Sequence, residues 1–82
     1  MAGRVFNIVA DWDYDAGVWV ATSPDVPGLV LQSTSADEII HKARLTIPAL
    51  IEIGVEPEDT IHISFRRKER GRNEQRTVPL AA

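Results

Sequence analysis

Three aspartates at alternating positions, Asp11, Asp13 and Asp15, are the residues whose spacing most suggests chemistry in this sequence. Carboxylates at short intervals can hold a hard cation such as calcium or magnesium. If a strand continued through residues 11–13, two of these side chains would share one face. The segment lacks the glycine and the terminal glutamate of an EF-hand loop, and aspartates in turns commonly bond to their own backbone. We therefore predict turn aspartates here, with no metal site and no cofactor.

Other kinds of catalysis find little support in the residues present. A two-metal nuclease needs carboxylates that converge from several strands and a helix, whereas Asp37 and Glu38 are explained by helix capping. His41 and His62, the two histidines, are expected on separate polar faces, so nothing joins them for acid–base work. No phosphate-binding glycine loop and no nucleophile motif occurs. We expect no enzymatic activity.

Aromatic residues around a predicted first hairpin are candidates for a protein-binding surface. They are Trp12, Tyr14 and Trp19. Aromatic side chains are enriched at protein interfaces, although packing between neighbouring strands is their commoner use. We predict that these three residues contact a partner protein.

A second candidate surface lies on a predicted helix. Leu45, Ala49 and Ile53 form a short apolar stripe roughly opposite the main one at 3.6 residues per turn. A helix covered on both sides indicates an oligomer or a partner contact. A domain of 82 residues without cysteine also has a thin core and no disulfides to support it. We therefore expect a homo-oligomer.

Charge is distributed unevenly along the chain, whose net charge is −3. Residues 1–65 contain ten acidic and three basic residues, whereas residues 66–82 contain six basic and two acidic ones. An acidic body attracts a basic partner and repels nucleic acid. The basic segment either binds phosphates weakly or is a solvated tail. The candidate residues for weak nucleic-acid binding are Arg66, Arg67, Lys68, Arg70 and Arg72.

Hydrophobic periodicity predicts an α+β domain with the element order β-β-β-α-β. Apolar and β-branched runs predict strands, and one longer segment carries apolar residues at helical spacing. The predicted strands cover residues 5–10, 18–22, 29–32 and 60–66, and the helix covers about 36–53. The first three strands form an antiparallel meander. Residues 76–78 could pair with the fourth strand, or the segment could be a loose tail.

Two local signals position these elements. Val26–Leu29 has proline and glycine at the central positions of a type II turn, which needs a positive φ at the second of them. Pro24, Pro27 and Gly28 are therefore assigned a structural role. A capping box at residues 35–38 marks the start of the helix.

Targeting signals are not evident in this sequence. The N-terminal residues contain no continuous apolar run typical of a signal peptide. The apolar stretches are also far shorter than the roughly 20 residues that span a bilayer. We expect a cytoplasmic protein with no membrane contact.

The sequence resembles the HicB antitoxin family and its small stand-alone relatives. The matching residues are Asp13, Asp15, Gly17, Trp19–Ala21, Pro24–Gly28, Gln32, Ser35–Glu38 and Ala43. This resemblance covers roughly residues 5–53, and the proline–glycine loop at this distance from the helix is its most specific part.

The resemblance implies a truncated RNase H-like fold. In that fold the fourth strand lies parallel to the first, in the order 3-2-1-4, with the helix on one face. Residues 1–66 would form this domain, and residues 67–82 would be a basic tail or a short extra strand. HicB proteins bind and silence HicA, a small basic toxin that cleaves RNA. Many also carry a C-terminal DNA-binding module, for which the 16 residues after the fourth strand are too few.

Four functions remain open at this point. The leading hypothesis is a HicB-like antitoxin that neutralises a small basic RNA-cleaving toxin through its acidic body. The alternatives are an orphan homo-oligomeric module without a toxin, a weak nucleic-acid binder through the basic segment, and a degenerate nuclease.

Overall fold

Within the part of the chain that the structure describes, one mixed sheet of five strands carries a single helix on one of its faces. The computed structural model describes residues 3–51, 54–67 and 73–80. Its elements are β1 (Val5–Asp13), β2 (Val18–Thr22), β3 (Val30–Ser33), α1 (Ala36–Leu50), β4 (Thr60–Arg66) and β5 (Asn73–Pro79). The strand order is β3-β2-β1-β4-β5. The predicted α+β class and the order 3-2-1-4 are confirmed, with one strand added beside β4.

The central pair of strands, β1 and β4, runs parallel, and every other neighbouring pair runs antiparallel. Phe6 lies opposite Ile61, and Ala10 lies opposite Phe65. The added strand β5 pairs with β4 along its whole length. Residues 73–79 therefore form a fifth strand beside β4.

Alternation along the strands divides the sheet into a helix face and an open face. Inward side chains of the strands meet Ile39, Ile40, Ala43 and Ile47 of α1, all of which are buried. Ile8, Ile61 and Ile63 are almost completely buried on the helix face, and each such side chain contributes about 1.5–3 kcal/mol on leaving water. Among the described residues, no helix covers the open face.

The helix begins where it was predicted to begin and ends earlier. The Ser35 hydroxyl accepts a hydrogen bond from the Glu38 amide, which confirms the cap. The predicted end near residue 53 is wrong, because α1 ends at Leu50 and Ile51 adopts an extended conformation. Pro48 has no amide hydrogen to continue the helical pattern. Ile51 leaves the helix axis and packs half-buried against the core.

The proline–glycine turn has the predicted geometry. The Leu29 amide donates to the Val26 carbonyl at 3.2 Å, and Gly28 has a φ of 86°. Val26 and Leu29 are both buried, whereas Pro24 and Pro27 are exposed. The turn therefore anchors two apolar side chains in the core between β2 and β3.

The loop before this turn takes the place of a strand beside the first half of β1. Beyond Thr22, β2 no longer pairs with β1. There the Ser23 hydroxyl donates to the Asn7 carbonyl at 2.6 Å, and the Asp25 carboxylate accepts from the Asn7 amide at 2.7 Å. These side chains satisfy backbone groups that would otherwise lack partners in the sheet.

A buried carboxylate joins the starts of β1 and β4. Asp59 is fully buried, and its two oxygens accept from the Arg4 amide at 2.8 Å and the Arg4 guanidinium at 2.7 Å. The Glu56 amide donates to the same carboxylate at 2.8 Å. The hydrogen bond from the Arg4 side chain is the main reason that the pKa of Asp59 lies well below its usual range. Beside this site only glycine is accommodated at position 3, because a Cβ on Gly3 would overlap the Glu58 carbonyl.

We expect Gly28→Val to lower the melting temperature. Nothing lies within 4 Å of a Cβ at this position, so the cost comes from the positive φ alone, about 1–3 kcal/mol. In a domain of this size that corresponds to a fall of roughly 4–24 °C. Gly28→Asn is the matched control, since asparagine tolerates this conformation. Thermal denaturation followed by circular dichroism measures both, and an unchanged melting temperature for Gly28→Val would refute the structural role.

Asp59 should make the stability depend on acid pH. Its pKa is lowered by folding, so the unfolded state binds the proton more readily and stability falls as the pH drops below about 4. Asp59→Asn should be less stable at pH 7 and should show a flatter dependence of stability on pH in the acid range. Glu58→Gln, an exposed neighbour, serves as the control and should keep the wild-type slope. Urea unfolding at a series of pH values provides the measurement, and equal slopes for wild type and Asp59→Asn would contradict the assignment.

Candidate functional site

Several chain connections meet at one end of the sheet. Because β1 and β4 run parallel, their C-terminal ends lie together. The β1–β2 hairpin follows one of these ends and the connection to β5 follows the other. Trp19 pairs with Ser33 at the end of β3, so the start of α1 lies there as well. Five of the predicted binding residues are thereby brought to this end: Trp12, Tyr14, Trp19, Arg66 and Arg67.

Three aromatic rings pack against one another on the helix face at this end. The Trp12 and Trp19 ring centroids lie 5.2 Å apart, and those of Trp19 and Phe65 lie 5.1 Å apart, both edge-to-face. Trp19 is only 6% exposed, so it supports this cluster from within the core. Trp12 is half-buried and remains partly accessible.

Arg67 lies across the two tryptophans. Its guanidinium carbon is 4.9 Å from the Trp12 ring centroid and 5.1 Å from that of Trp19. Such cation–π contacts contribute about 0.5–2 kcal/mol. In the part of the chain that the structure describes, Arg67 forms no ion pair. Arg67 and the tryptophans, which the sequence pattern assigns to different candidate sites, lie together in the structure.

An open cleft of about 770 Å³ extends from this cluster toward the start of the helix. We call it the Arg67 cleft. Eight of the described residues line it: Trp19, Thr34, Ala36, Phe65, Arg67, Asn73, Glu74 and Arg76. Arg76 is held in place by ion pairs with Asp37 at 2.8 Å and Glu74 at 2.7 Å. Hydrogen bonds to these two carboxylates raise the pKa of Arg76.

The end of β1 and its connection to β2, residues 11–17, form a hydrogen-bonded tip that we call the acidic hairpin. The Asp13 carboxylate accepts from the Asp15 amide at 3.0 Å and the Ala16 amide at 3.1 Å. The Gly17 amide donates to the Asp13 carbonyl at 2.8 Å. The prediction of a turn aspartate is therefore confirmed for Asp13 and wrong for Asp11, which lies within β1 and pairs with Arg66. Tyr14 is 50% exposed at the tip, between the exposed Asp13 and Asp15.

Arg66 lies on the opposite face from Arg67. Its guanidinium donates to both oxygens of Asp11, at 2.9 and 3.1 Å. The hydrogen bonds to Asp11 raise the pKa of Arg66. This exposed pair contributes little to stability, but it neutralises one candidate phosphate-binding residue. The other three, Lys68, Arg70 and Arg72, lie outside the described residues.

The apolar stripe on the helix is exposed as predicted, away from this site. Leu45 is 65% exposed, and Ala49 is exposed as well. Ile53, its third member, lies outside the described residues. Self-association through this surface stays a prediction.

The two histidines lie apart in the structure. The His62 ring bonds to the Thr77 hydroxyl at 2.9 Å on the open face, and His41 is exposed on α1. Among residues 3–51, 54–67 and 73–80, no three histidine or carboxylate side chains are placed to hold a metal ion. No helix in these ranges is long and apolar enough to cross a membrane.

Comparison with known proteins gives one family and one solved structure. A family model described as a domain of unknown function, DUF1902, matches residues 5–76. The chain is also similar to the crystal structure of hypothetical protein TTHA1013 from the extremely thermophilic bacterium Thermus thermophilus. The two share 34% sequence identity over 78% of this chain and 94% of the other, with a TM-score of 0.64. No curated protein matches the sequence.

We predict that the protein does not cleave RNA in the presence of magnesium or manganese. The physical reason is that Asp11 and Asp13, which share the open face, are engaged by Arg66 and by the hairpin backbone respectively. The test is incubation with single-stranded RNA and with an RNA–DNA hybrid, followed by gel analysis. Cleavage that Asp11→Asn abolishes would overturn this prediction.

Proposed function

Because the chain belongs to the DUF1902 family, for which the family description gives no function, we propose its activity from the structure and the HicB resemblance. The protein is a HicB-like, cytoplasmic protein-binding module that neutralises a small basic RNA-cleaving toxin. One observation carries this proposal: the acidic hairpin presents a half-exposed tyrosine between two exposed carboxylates on a rigid tip.

Tyrosine and charged neighbours are suited to binding a basic protein. Tyrosine is enriched among the residues that dominate binding energy at protein interfaces. Carboxylates around it attract a cationic partner and align it during encounter. Asp15 has an exposed side chain next to Tyr14, so both are accessible to the same partner.

Rigidity of the tip lowers the cost of binding. Two amides donate to the Asp13 carboxylate, and the Gly17 amide closes the turn. A loop that is ordered before it meets its partner loses less conformational entropy on binding. The hairpin therefore needs no folding step to present Tyr14.

The fold is consistent with the same proposal. The resemblance to HicB implies strand order 3-2-1-4 with the helix on one face, and the sheet has this order with β5 added at the edge. The family and the solved structure do not identify an activity, so the hairpin surface is the main support for toxin binding.

We expect Tyr14→Ala and Asp15→Lys each to weaken binding to the proposed small basic toxin. Loss of a tyrosine that dominates an interface costs about 2 kcal/mol or more, which is roughly thirtyfold in Kd. Isothermal titration calorimetry with the purified toxin measures the affinity. A parallel assay measures whether the protein prevents RNA cleavage by the toxin.

Glu58→Lys is the matched control for Asp15→Lys. Glu58 is also exposed but precedes β4, so it lies at the opposite end of a seven-residue strand, about 20 Å away. It should leave the affinity close to that of the wild type. Equal weakening by Glu58→Lys and Asp15→Lys would show that net charge, rather than the hairpin, governs binding.

A further inference from the structure

We propose that the Arg67 cleft binds one nucleotide of a single-stranded nucleic acid, with its base stacked on the outer surface of the Arg67 guanidinium. This site lies beyond the protein-binding function proposed above and does not depend on it. The proposal rests on the placement of Arg67, on the size and lining of the cleft and on the separation of charges between the two faces of the sheet.

Arg67 lies against aromatic rings and is accessible at the same time. Its guanidinium carbon lies about 5 Å from the centroids of two indole rings, and the residue is exposed. Tryptophan therefore covers part of the guanidinium, and the exposed part is accessible from solvent. Unstacked bases commonly pack on arginine planes and aromatic rings in proteins that bind single strands.

Arg67 supplies a positive charge that no carboxylate of the described residues engages. Arg76 is already paired with Asp37 and Glu74. Among the described residues that line the cleft, Arg67 is the cation without an ion pair. An arginine without a carboxylate partner is available to a phosphate, which it can bind through two parallel hydrogen bonds.

The size and the polar lining of the cleft suit a small ligand. A volume of about 770 Å³ falls within the range of small-molecule sites in proteins. Thr34 and Asn73 are exposed at its rim and offer hydroxyl and amide groups. Such groups can form hydrogen bonds with the edge of a base.

Strand alternation places Asp11 on the other face of the sheet, and the carboxylates on the cleft side, Asp37 and Glu74, are engaged by Arg76. Asp11 and Arg66 pair on the open face, while Trp12 and Arg67 are in contact on the helix face. The phosphate of a bound nucleotide would therefore approach Arg67 without facing Asp11. A double strand is excluded as the ligand, because its bases are stacked with one another and cannot also stack on Arg67.

Intrinsic fluorescence reports directly on this site, because Trp12 and Trp19 are the two tryptophans of the chain and both contact Arg67. The experiment titrates the full-length protein with a uridine RNA about ten nucleotides long. A thymidine DNA of the same length, uridine monophosphate and polyglutamate are titrated in parallel. We expect the RNA and the DNA to quench tryptophan fluorescence, and polyglutamate to leave it unchanged.

Arg67→Ala and Arg66→Ala form a matched pair, since they remove the same charge from adjacent positions on opposite faces. We expect Arg67→Ala to weaken binding about tenfold and Arg66→Ala to stay within about twofold of the wild type. Arg67→Lys keeps the positive charge but lacks the planar guanidinium, so its affinity should lie between those of the two alanine variants. Arg67→Ala should also reduce the slope of log K against log salt by about 0.7, as expected for one phosphate contact on a single strand.

Four results would overturn the proposal. They are the absence of quenching by either oligonucleotide, equal weakening by the two alanine variants, equal quenching by polyglutamate, and equal affinity for uridine monophosphate and the oligonucleotides. The third would indicate an acidic protein as the ligand, and the fourth a free nucleotide. Melting temperatures of the variants confirm that each remains folded.

Discussion

The hydrogen-bonded pair of Arg4 and Asp59 is the interaction on which the arrangement of the sheet depends. The fully buried Asp59 carboxylate binds both the backbone and the side chain of Arg4. The Thr60 amide donates to the Arg4 carbonyl, and the Leu80 amide donates to the Asp59 carbonyl. One short segment thus joins the starts of β1 and β4 and the end of β5. Without a partner the buried charge would be strongly unfavourable, so this contact fixes how the two central strands meet.

Parallel pairing of β1 and β4 then determines where a binding site can form. If β1 and β4 were antiparallel, their C-terminal ends would lie at opposite ends of the sheet. Because they are parallel, the acidic hairpin, the start of α1 and the approach to β5 share one end. Trp12, Trp19 and Phe65 close the core there, and Arg67 covers them.

Features set by neighbouring residues could be predicted from the sequence, whereas contacts between distant residues could not. The turn at Gly28 and the cap at Ser35 follow from local backbone chemistry, and both are present. The pairing of Asp59 with Arg4 joins residues 55 positions apart, and no local pattern indicates it. The end of α1 was misplaced because the apolar spacing continues to Ile53, while burial of Ile51 against the core favours an extended chain. The sequence likewise indicated Arg67 and the tryptophans as members of separate sites, because they are distant along the chain and come into contact only in the folded sheet.

Alternation along two strands gives this end of the sheet two distinct chemical surfaces. Asp11 and Trp12 are adjacent in β1, and Arg66 and Arg67 are adjacent at the end of β4, yet each pair divides between the open face and the helix face. Asp11 and Arg66 neutralise each other on the open face. The exposed negative charge at the hairpin tip therefore comes from Asp13 and Asp15. On the helix face the aromatic rings hold Arg67 without neutralising it. An acidic tip and a cationic cleft can therefore lie close together, because the two-residue period of a strand directs neighbouring side chains to opposite sides.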